Sequence, residues 1–111
     1  MSTTYIDISI GEHDLHWDNV TVTPEPGGNP SVYLRAYLER NDYIYALQAT
    51  AVSTPPYPLT LSVGGQHFPL EGSPDLTDDG HYLFADCRVH VTGATLTTIT
   101  QALARHKLSA S

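Results

Sequence analysis

The chain has 111 residues, of which 41% are hydrophobic and 15% are charged, and its formal net charge is −7. This length is sufficient for one domain with a buried core, and the low charged fraction excludes disorder driven by charge. Five Lys and Arg against twelve Asp and Glu leave few groups to neutralise phosphates, so direct binding to nucleic acid or to anionic membranes is disfavoured. The same acidity is compatible with a basic protein partner or with a mimic of nucleic acid, although its role in keeping a small protein soluble explains the charge better.

Cys87 is the single cysteine, so no internal disulfide can form and a reducing compartment is expected. The first residues, Met1 to Tyr5, do not have the basic and apolar segments of a signal peptide. No apolar run approaches the roughly 20 residues needed to span a bilayer. These features predict a cytoplasmic protein.

The N-terminal segment predicts two strands. Residues 5–10 alternate between polar and apolar side chains, which is typical of a half-buried strand, and residues 11–14 form a turn. Apolar residues then occupy odd positions at 15–17 and even positions at 20–22. This change of phase predicts a β-bulge or a tight turn at Asp18-Asn19.

After a loop at 23–30, residues 32–51 predict a long β-hairpin that turns at Asn41-Asp42. One face of this hairpin is apolar. The other face carries Tyr33, Arg35, Tyr37 and Glu39 opposite Ile44, Ala46, Gln48 and Thr50. The second face is either an exposed interface or a core surface covered by another layer.

The second half of the chain begins with a proline-rich break at 53–58. Gly64-Gly65 then predicts a two-residue turn with positive φ, which pairs Leu61 with Phe68 and places Pro69 in an edge strand. Residues 71–80 predict an acidic loop in which Ser73-Pro74 starts a short helical turn.

The C-terminal part predicts a long strand at 81–92 and then a helix. The helix is indicated by Leu96, Ile99 and Leu103, with Thr95 as its N-cap. The chain shows no internal repeat. The predicted fold is therefore one mainly β domain, residues 1–111, with an antiparallel sheet or sandwich of about seven strands, hairpin and meander connections and one C-terminal α-helix.

Two groups of residues are candidates for a protein interface. Tyrosine and arginine are enriched at the centres of protein interfaces, and clustered carboxylates suit a basic partner. Ordinary core residues and a solvated acidic loop explain the same pattern. The candidates are Tyr33, Arg35, Tyr37, Glu39, Ile44, Asp75, Asp78 and Asp79.

An alternative pocket is indicated by Asp86, Arg88 and His90, which are two positions apart on one face of a strand. An aspartate can orient a histidine as a general base, and an arginine can hold an anion. A solvent-facing ladder of ion pairs explains the same residues.

A metal site is a third hypothesis. His13, His16 and Asp18 are ligand types that zinc accepts, although a polar surface turn has the same composition. The spacing of Asp75, Asp78 and Asp79 does not match the calcium loop of an EF-hand.

No phosphate-binding glycine loop, nucleophile elbow or paired-cysteine motif is present, so no cofactor is predicted. The leading interpretation is a small acidic protein-binding module without enzyme activity: an inhibitor, an immunity-type protein or a phage or bacterial accessory protein that covers a partner's surface. One alternative is a ligand-binding or metal-dependent enzyme with the Asp86, Arg88 and His90 pocket. Another is a structural subunit of a larger assembly such as a virion, and a homodimer is compatible with each interpretation.

Overall fold

A computed structural model describes residues 4–18 and 20–110, the last five of these by their backbone alone. In the described ranges the chain forms eight strands and two helices. Their bounds are β1 Thr4–Ile10, β2 His13–Asp18, β3 Val20–Glu25, β4 Ser31–Leu38, α1 Arg40–Ala51, β5 Tyr57–Val63, β6 Gln66–Gly72, β7 Asp75–Asp78, β8 Leu83–His90 and α2 Gly93–Ala110.

The strands form two four-stranded antiparallel sheets. The first sheet has the order β2-β1-β5-β6 and the second has the order β3-β4-β8-β7. The prediction of a mainly β, antiparallel fold with a C-terminal helix is thus confirmed. The structure differs in having eight strands rather than about seven, and in having a second helix, α1.

The two sheets and both helices share one hydrophobic core. Alternate residues of each strand point inward, so that Ile8 and Leu61 of the first sheet and Leu34 of the second are almost fully buried. Strand β1 contacts β3, β2 contacts β4, and β6 contacts β8. Helix α1 contributes Ala46 and Ala49 to the core, whereas α2 contributes Ile99 and Ala102.

The predicted hairpin at 32–51 is wrong in its second half. The first half is strand β4, but the chain then turns into helix α1 from Arg40 to Ala51 instead of forming a return strand. The partners of β4 are distant in sequence: β3 lies on one side and β8 on the other. Alanine at 46, 49 and 51 favours a helix, and the two alanines that α1 buries are separated by three positions, as helical geometry requires.

The predicted acidic loop at 71–80 is also replaced in part by strands. Strand β6 continues to Gly72, and β7 then pairs with β8 across the edge of the second sheet. Ser73-Pro74 is the link between these strands and does not begin a helical turn. At the C-terminal helix, the hydroxyl of Thr92 accepts a hydrogen bond from the Thr95 amide, 3.1 Å away, so Thr92 is the cap rather than Thr95.

The change of phase near Asp18-Asn19 marks the passage from the first sheet to the second. Asp18 ends β2 in one sheet and Val20 begins β3 in the other. Because the inner faces of the two sheets point toward each other, the apolar positions change parity at the crossing. Asn19 itself lies outside the described residues, so the choice between a bulge and a turn there is left as a prediction.

The chain contains a structural repeat that its sequence does not reveal. Each half comprises two hairpins, one in each sheet, followed by a helix. Strand β5 begins and ends 53 positions after β1 (4 to 57 and 10 to 63), and α2 begins 53 positions after α1 (40 to 93). The same spacing relates Gly11 to Gly64, which turn the first hairpin of each half with φ of 64° and 57°. The two halves are therefore related by an approximate two-fold axis.

Among the described residues, neither helix combines the length and the apolar composition required for crossing a bilayer.

Cys87 is buried in the core of β8, and burial raises the pKa of its thiol to about 11. Only a small fraction of this thiol is ionised at neutral pH, and the thiolate is the reactive form. We expect iodoacetamide to alkylate Cys87 at least about 100-fold more slowly in the native protein than in denaturant. Mass spectrometry of timed aliquots measures both rates, and equal rates would contradict the placement of Cys87 in the core.

Candidate functional site

The outer face of the second sheet brings two predicted groups together. The register of β4 and β8 places Arg35 opposite Asp86 and Tyr33 opposite Arg88. The Arg35 guanidinium donates to both carboxylate oxygens of Asp86, at 2.7 and 3.1 Å, and also to the hydroxyl of Tyr33 at 3.0 Å. Two interface candidates of β4, Tyr33 and Arg35, and two pocket candidates of β8, Asp86 and Arg88, thus form one continuous row.

The charged groups of this row are largely paired with each other. Arg88 donates to Glu25 at 2.7 and 3.3 Å, and this contact lowers the pKa of the Glu25 carboxyl. The hydrogen bond that Arg35 donates to Asp86 raises the pKa of Arg35 above its already high ordinary value. Both arginines therefore bind carboxylates of the protein itself and are not poised to hold an external anion.

Aromatic side chains continue the row toward the start of α1. The ring of Tyr37 meets the rings of Tyr82 and Phe84 edge-on, with centroids 5.7 and 6.0 Å apart. Tyr37 is 51% exposed and Tyr82 is 62% exposed, whereas Phe84 is buried. Two exposed tyrosines in contact are typical of a protein-binding surface.

Helix α1 turns its large apolar side chains outward. Its buried residues are the small Ala46 and Ala49. Ile44 and Leu47 are about two-fifths exposed, and Val52, directly after the helix, is 79% exposed. Residues at these spacings lie on one side of a helix. The α1 face is defined here as Ile44, Leu47, Gln48, Ala51 and Val52.

Helix α2 offers an internal comparison, because it occupies the equivalent place in the second half of the chain. The positions 53 residues after the α1 face carry Thr97, Thr100, Gln101, Ala104 and Arg105. The glutamine and the alanine are unchanged, but the isoleucine, leucine and valine are replaced by two threonines and an arginine. All five of these α2 residues are exposed. The fold therefore does not require large apolar side chains at these positions.

The acidic candidates lie near the same end of the second sheet. Glu39 directly precedes α1, and Asp78 ends β7, the strand that α1 contacts. Asp78 accepts a hydrogen bond from the Gly80 amide, and Asp79 accepts from the amides of His81 and Tyr82. The backbone amides of Tyr82 and His81 lower the pKa of Asp79. Two of these carboxylates thus stabilise the β7–β8 turn while they stay exposed.

Asp75 has a different environment, because it lies directly opposite Asp86 in the β7–β8 pairing. Like charges at such positions repel. Arg35 binds Asp86 and is the cation that offsets this repulsion. Asp75 therefore lies beside the Arg35–Asp86 ion pair of the outer face, whereas Asp78 and Asp79 belong to the β7–β8 turn.

The structure brings His16 and Asp18 into contact but does not add His13, the third predicted metal ligand, to them. Along β2, His13 points inward with the core residues, whereas His16 and Asp18 point outward, because strand side chains alternate. The Nδ1 of His13 lies 2.8 Å from the hydroxyl of Tyr45. Within the part of the chain that the structure describes, no three His, Cys, Asp or Glu side chains are grouped in a way that could hold a metal ion.

His16 instead lies between two carboxylates. Its Nδ1 is 2.6 Å from Asp7 and its Nε2 is 2.8 Å from Asp18. Both nitrogens can donate only when the ring is protonated. The hydrogen bond to Asp7, with a further contribution from Asp18, raises the pKa of His16 above its ordinary value, although burial opposes this.

A pH dependence of stability follows from this contact. Folding raises the pKa of His16, so protonated His16 stabilises the folded protein. This stabilisation is fully present at a pH below the pKa of His16 in the unfolded chain, about 6.5, and it is lost as the pH rises through the pKa in the folded protein. We expect His16→Gln to lower the free energy of unfolding by at most about 1 kcal/mol at acidic pH, because the pair is half exposed, and by less at alkaline pH. Thermal unfolding of both proteins across this range measures the difference. A larger loss at alkaline pH would contradict it.

His90 is separated from the other pocket candidates. It borders an open groove of about 760 Å³ between the outer side of the first sheet and the start of α2, where Asp7, Thr60 and Glu71 also lie. Asp86 and Arg88 do not border this groove, and both are engaged in ion pairs. The structure therefore does not gather Asp86, Arg88 and His90 around one cavity.

No protein-family model matches the chain, and neither the curated proteins nor the solved structures contain a match to it. The surface residues that sequence reasoning missed are Leu47, Val52 and Tyr82. Their common signal is a large apolar or aromatic side chain at a position that the local secondary structure exposes. For Leu47 and Val52 that signal is readable only when residues 40–51 are recognised as a helix, whereas Tyr82 directly precedes β8.

Proposed function

We propose that this protein is a protein-binding module without enzyme activity, and that it binds its partner through the α1 face together with Tyr37 and Tyr82. The observation that carries the proposal is the contrast between the two helices. Ile44, Leu47 and Val52 are exposed in α1, whereas the equivalent positions of α2 carry threonine and arginine. Exposed large apolar residues that the fold does not need are typical of an interaction surface.

A basic partner is supported by the charges around this surface. Glu39, Asp78 and Asp79 are exposed, and Arg35 and Arg88 are already engaged in ion pairs with carboxylates. The net charge of −7 adds a long-range attraction for a positively charged protein. We place this activity in the cytoplasm, in keeping with the free and buried Cys87. These charges support a role as an inhibitor or an accessory protein, in which the protein covers the surface of a basic partner.

The test replaces residues of α1 with those that the fold already tolerates in α2. The free energy of unfolding of the double variant Ile44→Thr/Leu47→Thr is expected to lie within about 0.5 kcal/mol of the wild-type value, because exposed sites contribute little to stability. Its partner binding is expected to fall at least tenfold, since central apolar contacts account for most of the binding energy. Affinity capture from lysates of the source cells, quantified by mass spectrometry, identifies proteins retained by the wild type and lost by the variant.

The matched control is Thr97→Ala/Thr100→Ala, which changes the equivalent positions of α2. This control is expected to retain the partner. Equal retention of every captured protein by the wild type and by both double variants would refute binding through the α1 face.

A further inference from the structure

The two sheets have four edge strands, and three of them have features that prevent pairing with another strand. An edge strand presents unpaired backbone groups, and proline or a short length blocks them. Pro24 interrupts β3, Pro69 interrupts β6, and β7 has four residues. Strand β2, from His13 to Asp18, contains no proline and has six residues. It is the unblocked edge among the described strands.

The open side of β2 presents the backbone of three residues. Ile10 and His13 close the two-residue turn of the β1–β2 hairpin, so their backbone groups pair with each other. Because hydrogen-bonded and non-hydrogen-bonded pairs alternate along an antiparallel ladder, Asp14, His16 and Asp18 direct their N–H and C=O groups away from β1. In the described residues no strand pairs with that side of β2.

The side chains on the same three residues determine which strand fits there. Asp14, His16 and Asp18 are exposed on the outer face of the first sheet, beside Asp7 of β1. Asp7 and Asp18 contact the imidazole of His16, and Asp14 accepts a hydrogen bond from Ser9 at 2.9 Å, so three carboxylates lie at this edge. A strand that pairs with β2 would place alternate side chains next to these carboxylates, where lysine or arginine is favoured.

We propose that the open edge of β2 binds an extended peptide segment in which basic residues alternate with neutral ones, by adding it as a fifth strand to the first sheet. Backbone hydrogen bonds to Asp14, His16 and Asp18 supply the pairing, and the carboxylates select the basic side chains. This site is separate from the α1 face, which lies on helix α1.

A second copy of the chain is a poor occupant of this edge. Antiparallel pairing of two β2 strands about His16 places Asp14 of one copy opposite Asp18 of the other. Like charges directly opposite each other are destabilising. Charge complementarity therefore favours a basic segment over self-association.

The test uses the full-length protein labelled with ¹⁵N and two short synthetic peptides, one with alternating lysine and threonine and one with alternating glutamate and threonine. We expect the lysine peptide to bind below about 1 mM, to shift the amide signals of Asp14, His16 and Asp18, and to slow the hydrogen exchange of these amides. The glutamate peptide is expected not to bind. Failure of the lysine peptide to bind, or binding without slower exchange of these amides, would overturn the proposal, the latter because charge attraction alone explains it.

Two charge variants locate the site. The variant Asp14→Lys/Asp18→Lys is expected to bind the lysine peptide with an affinity at least about tenfold lower, and to bind the glutamate peptide instead. Asp42→Lys/Glu71→Lys alters the net charge equally at positions outside β2 and is expected to leave the lysine peptide bound. An equal loss in both variants would overturn the proposal in favour of net charge. The variant Ile44→Thr/Leu47→Thr is expected to bind the lysine peptide normally, so failure at one surface is distinguishable from failure at the other.

Discussion

Replacing Gly72 with alanine is expected to lower the free energy of unfolding by about 1–3 kcal/mol, because it adds a methyl group to a filled part of the core. Gly72 ends β6 where this strand crosses β8 of the opposite sheet. A Cβ atom there would overlap the sulfur of Cys87, and it would lie 3.1 Å from Cγ2 of Val89 and 3.5 Å from Cδ2 of Leu59. Since β8 is central in its sheet, it cannot move away without disturbing its pairing with β4 and β7.

Urea unfolding measures this effect, with the fluorescence of Trp17 as the signal. Trp17 is the single tryptophan and is 3% exposed, so its emission reports the loss of the core. The matched control is Gly28→Ala, because a Cβ atom at Gly28 has no neighbour within 4 Å. The control is expected to change the midpoint little. An unchanged midpoint for Gly72→Ala would show that β6 does not approach β8 closely.

The sequence was sufficient to predict the strands that bury one face and turn at glycine. The hairpin at Gly64-Gly65, with Leu61 opposite Phe68, is confirmed, and both glycines have positive φ. Pro69 does lie in an edge strand. These predictions succeeded because the turn type, the alternation and the burial of each strand are determined by residues close in sequence.

The prediction of a strand at residues 40–51 was wrong for a physical reason, which lies in the residues of the proposed binding surface. A helix is recognised by large apolar residues on its buried side, but α1 buries alanines and exposes Ile44 and Leu47. With the apolar residues spread around the helix, a period of two fitted the segment as well as a helical period. Disagreement between local pattern and fold is expected at functional surfaces. The exposed residues that misled the sequence prediction are therefore those proposed to bind the partner.

The repeat and the ion pairs were inaccessible to the sequence for a different reason. Both depend on which strands meet across the sheets, and Arg35 is 51 positions from Asp86. Equivalent positions in the two halves are more often similar in burial than identical in residue type, and the buried Ile8 and Leu61 are an example. Arg35 and Arg88 are an exception, since they are identical and 53 positions apart (35 to 88). The sequence alone predicted Tyr37 and Ile44 as interface residues, but not the helix that exposes Ile44.

Replacing Arg35 with methionine is expected to destabilise the protein more than replacing Arg88 with methionine. Arg35 binds Asp86, whose side chain is 20% exposed, while Arg88 binds Glu25, whose side chain is 37% exposed. Loss of Arg35 removes the cation bound to Asp86 and leaves this carboxylate directly opposite Asp75 on the neighbouring strand. The guanidinium carbon of Arg35 also lies 4.3 Å from the centroid of the Phe84 ring, and methionine removes this cation–π contact together with the ion pair.

Differential scanning calorimetry of the wild type and the two variants measures this order. Arg88 is the matched control because it occupies the equivalent position in the second half of the chain. The double variant Arg35→Met/Asp86→Asn is expected to recover part of the stability lost by Arg35→Met, since it also removes the unpaired carboxylate. Equal melting temperatures for the two single variants, or a further loss in the double variant, would mean that Arg35 does not offset the repulsion between Asp75 and Asp86.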